Sequence, residues 1–267
     1  MSKDIFKKII GFLIFLFSIY LFLYFKYSNT SFILVYHQIE NYRGGLKSLY
    51  VSPLAFEKQM RYLYSRGYTT ITLTELKHRL ENKLPLKKMF CITFDDGYKN
   101  LNHAYSILKK YNFKATVYLH IDAIQTGVYS YPKMPASLMI SFEEMKKMLD
   151  VFEIGNHTLT HPDLTTLSEK EIIKELRESN KVLEKFFNLK PEHFCYPFGK
   201  VFKNHKSILS KEDFLTATTL ETGLIEPANK KLDLLALPRI EWKELSSMSL
   251  KDFLKNLDFY IKIFLGI

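Results

Sequence analysis

Three observations in the sequence predict an α/β fold, namely a (β/α) barrel preceded by one N-terminal transmembrane helix. Short apolar, β-branched runs alternate with amphipathic segments along most of the chain, which is typical of a parallel sheet. Six or more such units favour a closed barrel over an open sheet. An uncharged run of aliphatic and aromatic residues precedes the first unit.

That uncharged run occupies residues 9–25, with three lysines before it and one directly after it. Its length is near the lower limit of about 17 residues for a helix that spans a membrane. A cleaved signal peptide is the alternative, although the run exceeds a usual signal core and no clear small-x-small cleavage site follows it. The lysine excess predicts a cytoplasmic N-terminus at 1–8, a single-pass anchor in the cell membrane at 9–25 and a domain at 31–267 outside the cytoplasm.

The elements of the barrel follow from local patterns. Strands are expected at residues 32–35, 69–72, 90–94, 115–119, 151–154, 194–196 and 215–219. Ser52, followed by Pro53, predicts one helix start, and capping boxes at 141–144 and 168–171 predict two more. Apolar residues recur at helical spacing through 250–264, and we expect this segment to pack on the barrel, with a membrane-resting helix as the alternative.

Two polar motifs stand at the ends of predicted strands. Asp95 and Asp96 follow the run 90–94, and His157 and His161 come shortly after the run 151–154. Alone, Asp-Asp-Gly is most often a turn, and His-x-x-x-His is most often a surface pair on a helix. Together they predict a metal hydrolase, because two imidazoles and one carboxylate leave an open metal position while the second carboxylate is free to act as a base.

Composition limits the classes of function. A chain of 267 residues with 47% hydrophobic residues and no repeats can bury one full core, so a single domain is expected. The net charge of +10 comes mostly from scattered lysines without a clustered basic arm, which argues against nucleic acid and favours anionic membranes or envelope polymers. Cys91 and Cys195 lie within apolar runs and are expected to be small buried side chains rather than a disulfide.

Three segments together resemble, in order, the first three motifs of the polysaccharide deacetylases of carbohydrate esterase family 4, the NodB-homology group. The segments are 93–98 (TFDDGY), 157–162 (HTLTHP) and 195–199 (CYPFG). The resemblance runs from about Phe32 to Trp242 and implies that the domain at 31–267 is catalytic and has the irregular (β/α) barrel of this family. Residues 36–39 and 51–60 are most similar to the poly-β-1,6-N-acetylglucosamine deacetylases of biofilm formation.

The resemblance also implies roles for individual residues. Asp96, His157 and His161 would bind one divalent metal ion, with Zn²⁺ expected and Co²⁺, Ni²⁺ or Fe²⁺ as alternatives. That ion would polarise the acetyl carbonyl and lower the pKa of a bound water. Asp95 would be the general base, and the backbone N–H of Phe198 would stabilise the oxyanion.

The chain departs from the usual family pattern in two places. Ordinary members carry a late histidine that protonates the leaving amine, whereas no histidine follows Trp242 here. His37 matches the histidine that replaces it in the poly-N-acetylglucosamine branch, with a structural strand-end histidine as the alternative. The arginine that usually precedes the third motif is also missing. Arg239 is the candidate replacement beside the catalytic base, with a surface salt bridge as the alternative.

These inferences predict a metal-dependent hydrolase that removes N-acetyl groups from an extracytoplasmic N-acetylhexosamine polysaccharide, poly-β-1,6-N-acetylglucosamine being favoured. The alternatives are a peptidoglycan N-acetylglucosamine deacetylase, an O-acetyl esterase on a xylan-like glycan, and an inactive glycan-binding homologue. The expected partners are the acetylated polysaccharide and, through the N-terminal helix, the membrane; nucleic acid is not expected.

Overall fold

A computed structural model describes residues 3–130, 135–243 and 248–267 of the chain. Its strands are β1 (Ile33–Tyr36), β2 (Gln38–Ile39), β3 (Tyr50–Val51), β4 (Thr69–Thr70), β5 (Met89–Phe94), β6 (Ala115–Leu119), β7 (Val128–Tyr129), β8 (Ser137–Leu138), β9 (Phe152–Asn156), β10 (His193–Cys195) and β11 (Thr216–Thr218). Its helices are α1 (Lys3–Tyr27), α2 (Pro53–Ser65), α3 (Leu73–Glu81), α4 (Leu101–Lys110), α5 (Ile121–Thr126), α6 (Phe142–Lys146), α7 (Glu169–Phe187), α8 (His205–Lys211), α9 (Leu250–Lys255) and α10 (Leu257–Leu265).

A parallel sheet of seven strands forms the centre of the domain. Six of them follow the order β1-β5-β6-β9-β10-β11, and β4 pairs with β5 outside that path. The gap between β11 and β1 is crossed by a segment in which Leu237 bridges to Thr218 and Ile240 bridges to Leu34. The sheet therefore curls into a half-barrel whose seam is made by single bridges. The predicted irregular (β/α) barrel is confirmed.

The local patterns explain why these elements form. Every residue of β6 is buried, as expected for a parallel strand that is covered on both faces. Ser52 accepts a hydrogen bond from the Ala55 N–H and Pro53 occupies the first turn of α2, so this helix begins as predicted. Both capping boxes are present, at the starts of α6 and α7.

The C-terminal segment forms two helices instead of one continuous stretch. α9 ends at Lys255, and Asn256 separates it from α10, because the Asn256 side chain donates to the Asp252 carbonyl and the backbone leaves the helical path. α10 packs on the barrel as expected, with the Phe259 ring 5.0 Å from that of Phe32 and 5.4 Å from that of Trp242. None of the residues of α9 is buried.

The N-terminal helix α1 is longer than the predicted run at 9–25. Its 21-residue stretch Lys7–Tyr27 is long and apolar enough to cross a membrane, and its most apolar part lies outside the core, whereas Tyr27 at its end is buried. An anchor and a signal sequence both fit this description. α1 leads into the amino end of β1, and the buried Lys262 ammonium donates to the Tyr27 carbonyl at 2.9 Å. The helix therefore joins the barrel at the edge opposite the carboxyl ends of the strands.

Candidate active site

Three strands deliver polar side chains to one edge of the sheet. His37 follows β1, Asp95 and Asp96 follow β5, and His157 follows β9. The strands are parallel, so their carboxyl ends meet. The result is a cavity of about 300 Å³. The predicted site residues that line it are His37, Asp95, Asp96, His157, His161 and Phe198.

One side of this cavity holds three converging ligand atoms. Asp96 Oδ1 lies 3.4 Å from His157 Nε2 and 3.5 Å from His161 Nε2, and the two Nε2 atoms are 3.1 Å apart. Ligands bound tetrahedrally to Zn²⁺ at 2.0–2.1 Å would be about 3.3 Å from one another. Asp96 Oδ1 is buried and accepts no hydrogen bond from the described residues. The donor set and its spacing therefore fit a divalent cation.

The two histidines lie on a loop and not on one face of a helix. Asn156 Oδ1 accepts from the Thr158 N–H at 2.7 Å, and Thr158 Oγ1 accepts from the His161 N–H at 3.0 Å. The chain turns sharply at His161, which has a φ of 57°. These side-chain bonds replace helical ones and bring the two Nε2 atoms together.

A tight turn after β5 separates the two carboxylates. Asp96 has a φ of 71°, a left-handed conformation that aspartate tolerates better than most residues. Gly97 has a φ of 86°, and a Cβ there would lie 2.9 Å from Leu119 Cδ2. The turn therefore requires glycine at position 97. Because of the turn, the side chains of Asp95 and Asp96 contact different partners.

Burial and neighbouring charges set the protonation of the histidine side of the site. Burial, together with His157, lowers the pKa of His161 to about 3, so this ring is neutral. Burial alone would raise the pKa of Asp96, but the neighbouring His157 and His161 outweigh it and the pKa lies below the ordinary value. His157 Nδ1 donates to the Cys195 carbonyl at 2.8 Å, which directs its Nε2 towards Asp96. An ionised carboxylate thus faces imidazole nitrogens.

Asp95 is held by a buried arginine. Arg239 Nη1 lies 2.7 Å from Asp95 Oδ1, and Nη2 lies 2.7 Å from Oδ2, a bidentate fork. The guanidinium also donates from Nε to the Thr219 carbonyl at 2.7 Å and from Nη1 to Thr93 Oγ1 at 3.1 Å. Arg239 is 1% exposed, so the surface alternative does not apply. Burial acts to raise the pKa of Asp95, but Arg239 outweighs it and the pKa is lowered.

His37 and Phe198 complete the cavity. His37 Nε2 lies 3.7 Å from Asp95 Oδ2, and the histidine side chain is 17% exposed. Phe198 has a φ of 59°, and its ring lies 4.8 Å from the His161 ring at the rim. Gly199 follows at a φ of 69°, where a Cβ would lie 2.6 Å from Leu220, so this turn also depends on a glycine.

The structure adds residues that the motifs did not indicate. His120 directly follows β6, is 3% exposed, and has no hydrogen-bond partner for either ring nitrogen in the described part of the chain. Its ring lies 5.3 Å from that of His161, and burial lowers its pKa to about 4. His120 directly follows a strand, as Asp95 does, so the same sequence pattern could have indicated it as a candidate site residue. Ser48 and Glu241 also line the cavity, and no local pattern indicates either of them.

Known proteins resemble this chain over most of its length. YxkH of Bacillus subtilis (strain 168) is 31% identical over 211 residues, which cover 78% of this chain and 70% of that protein. Poly-beta-1,6-N-acetyl-D-glucosamine N-deacetylase of Staphylococcus aureus (strain MSSA476) is 31% identical over 194 residues. That match covers 68% of this chain and 65% of the relative, slightly less than two thirds of its length.

The solved structure of the Streptococcus pyogenes deacetylase PplD in complex with acetate superimposes with a TM-score of 0.70. It is 29% identical in sequence, and the match covers 85% of this chain and 97% of that one. Residues 82–216 match the sequence profile of the family described as polysaccharide deacetylase. The predicted family is therefore confirmed: this chain belongs to the polysaccharide deacetylases, the NodB-homology enzymes of carbohydrate esterase family 4.

Proposed function

We propose that this protein is a metal-dependent N-deacetylase of an extracytoplasmic N-acetylhexosamine polysaccharide, with poly-β-1,6-N-acetylglucosamine as the favoured substrate. The observation that carries the proposal is the grouping of Asp96, His157 and His161 with Asp95 in one cavity, where the buried Arg239 holds Asp95. The similarity to the Staphylococcus aureus enzyme, which is named for that polymer, supports the choice of substrate.

Asp96, His157 and His161 would hold one divalent ion, with Zn²⁺ favoured by two imidazoles and one carboxylate. When bound, such an ion polarises the acetyl carbonyl and makes water more acidic. The protein supplies a buried, ionised carboxylate and a loop that keeps both imidazoles in place. Three protein ligands leave a coordination position open for substrate or water.

Asp95 would take a proton from the attacking water. The Arg239 fork keeps this buried carboxylate ionised and fixes its direction, so Arg239 acts as a positioning residue. The oxygen of water then forms a bond to the acetyl carbon. The negative charge that develops on the carbonyl oxygen would be stabilised by the backbone N–H of Phe198, which the turn at the cavity rim holds in place.

His37 would deliver the proton that the departing nitrogen needs. An amine leaves poorly unless it is protonated, and His37 lines the same cavity as Asp95 at a separation of 3.7 Å. Protonation of the nitrogen accompanies cleavage of the carbon–nitrogen bond. The products are acetate and a free amine on the sugar.

The location outside the cytoplasm rests on α1. Its apolar stretch Lys7–Tyr27 would anchor the protein in the cell membrane, and the lysines before it favour a cytoplasmic N-terminus. The barrel is attached at the edge opposite the cavity, so the cavity would open away from the membrane surface.

Acetate release by the full-length protein in detergent tests the function. The substrates are β-1,6-linked N-acetylglucosamine oligomers, peptidoglycan and acetylated xylan, each measured before and after chelation and after return of Zn²⁺. We expect release from the β-1,6-linked oligomers, loss on chelation and recovery with metal. Release only from xylan would instead assign an O-acetyl esterase.

A pair of histidine variants makes this assay specific. His161→Ala should remove activity and bound metal, whereas His205→Ala should retain both. His205 is partly buried and paired with Asp233, so it controls for the loss of a histidine outside the cavity. Equal metal content in both variants would contradict the proposed ligand set.

A further inference from the structure

A second cavity of about 400 Å³ lies next to the active site. His37, Ser48 and Glu241 line both cavities, so the two spaces share a wall. Its volume is within the range of about 300–1,000 Å³ that is usual for ligand pockets. A substrate that extends beyond the reacting sugar on this side would enter the second cavity.

The walls of the second cavity suit a sugar ring. Tyr42, Tyr50 and Trp242 line it, and the first two rings pack edge to face at 5.5 Å. Gln59 also lines the cavity. Its Oε1 accepts from the Tyr36 hydroxyl at 2.8 Å, and its Nε2 donates to the Trp242 carbonyl at 3.0 Å. The Tyr42–Tyr50 ring contact, and for Trp242 the bond from Gln59 and the contact with the Phe259 ring, restrict these aromatic residues, as binding of the apolar face of a pyranose requires.

A polar group is also left without a partner there. The Tyr50 hydroxyl is buried and has no hydrogen-bond partner within residues 3–130, 135–243 and 248–267. A buried polar group without a partner is costly, and a small rotation towards the cavity would let a sugar hydroxyl satisfy it.

Most of the charged side chains that line the second cavity are in ion pairs. Both of its carboxylates already have basic partners: Glu40 lies 2.8 Å from Arg43 Nη2, and Glu241 lies 3.4 Å from Lys243 Nζ. Lys243 is shared with a further carboxylate, that of Asp252. Lys47 lines the cavity and has no acidic partner among the described residues. Among the charges that line the cavity, Lys47 is therefore the one that forms no ion pair with the described residues.

We propose that the second cavity binds the sugar next to the one being deacetylated, and that it selects a neighbour that still carries its acetyl group. This inference rests on the proposed N-deacetylase function. An N-acetylated sugar is neutral, whereas its deacetylated product carries an ammonium group. That ammonium would be repelled by Lys47, while the carboxylates that line the cavity already have basic partners. The enzyme would therefore disfavour adjacent sites, and its product would carry free amines that are spaced apart.

Oligomers of defined acetylation test the selection. The probes are a fully N-acetylated β-1,6-linked tetramer and the tetramers that carry one free amine at each position, with full-length protein at about pH 6, where the sugar amine is protonated. Mass spectrometry locates each new amine. We expect kcat/KM to be about three- to tenfold lower at the acetylated site whose neighbour in the second cavity is a free amine.

Two pairs of variants assign the effect to the second cavity. Lys47→Glu should reduce or reverse the preference, whereas Lys181→Glu, an exposed lysine on α7, should leave the ratio of rates as in the wild type. Tyr42→Ala should raise the KM for the tetramer about two- to tenfold. Tyr64→Ala is its control, since both tyrosines are about half exposed and Tyr64 lies outside the cavity.

The outcomes separate this inference from the function on which it rests. Absence of acetate release from every acetylated oligomer would overturn both. Release at equal rates beside an acetylated neighbour and beside a free amine would overturn the inference alone. A preference that persists unchanged in Lys47→Glu would show that the second cavity does not cause it, and would likewise overturn the inference.

Discussion

Replacing Arg239 with methionine tests how the candidate base is held. Methionine keeps most of the length and the apolar stem of arginine but has no donors. The change removes the fork to Asp95 and the bonds to the Thr219 carbonyl and Thr93 Oγ1. Asp95, whose side chain is 4% exposed, would then be a buried carboxylate without its counter-ion.

The magnitude follows from the burial of both partners. Removing one member of a buried ion pair costs about 3–5 kcal/mol, because the remaining charge is left uncompensated. For a domain of this size, each kcal/mol lowers Tm by about 2–4 °C, so we expect a decrease of about 6–20 °C at neutral pH. Arg177→Met is the matched control. It removes a bidentate pair with Glu212 in which the glutamate side chain is 9% exposed but the arginine side chain is 61% exposed, so solvent screens the pair and its contribution should be nearer the roughly 0–1 kcal/mol of exposed pairs.

The same variant should change the dependence on pH. In the wild type Arg239 holds the pKa of Asp95 below its ordinary value, so the stabilisation is present at neutral pH and is lost as the pH falls through that lowered pKa. In Arg239→Met the guanidinium no longer offsets the effect of burial, so the pKa of Asp95 should rise. The difference in Tm between variant and wild type should therefore shrink on acidification. The acid limb of the pH–activity curve should move to higher pH, because Asp95 must be ionised to act as a base.

Thermal unfolding from pH 4 to 8 and rates of acetate release over the same range measure both effects. A Tm for Arg239→Met no lower than that of Arg177→Met, together with an unmoved acid limb, would refute this reasoning. Arg239→Lys keeps the charge without the planar fork and should fall between wild type and methionine.

Three further predictions concern the metal, the proton donor and the membrane. His157→Ala should lose bound metal and activity together, whereas Asp95→Asn should keep stoichiometric metal and lose turnover. Elemental analysis and rate measurements on both variants test these roles, and equal metal loss in both would contradict them. His37→Ala should retain metal while amide turnover falls by about 10²- to 10⁴-fold, with a smaller loss on an acetyl ester; near wild-type rates on an N-acetylglucosamine oligomer would show that another group supplies the proton. Protease added to intact spheroplasts should digest the chain after Lys26, and protection that ends only on lysis would place the barrel in the cytoplasm.

The strand-and-helix order, the helix starts and the family could be predicted from the sequence because they rest on local patterns. Ala115–Leu119 is a buried strand by its own composition, and Ser168 begins α7 through a bond to a residue three positions away. The positions of Asp95 and His157 were predictable for a related reason. The carboxyl ends of parallel strands lie at the same edge of the sheet, so residues that directly follow different strands come close together.

What only the tertiary structure decided are contacts between residues far apart in the chain. Arg239 and Asp95 are 144 positions apart, and the sequence named Arg239 only as a candidate beside the base, with a surface salt bridge as the alternative. The structure shows that its buried guanidinium donates to both carboxylate oxygens. The break at Asn256, the unpartnered His120 and the second cavity beside Glu241 likewise arise from packing between distant segments. Sequence periodicity reports which face of an element is buried, whereas the choice of neighbour on that face depends on how the whole half-barrel closes.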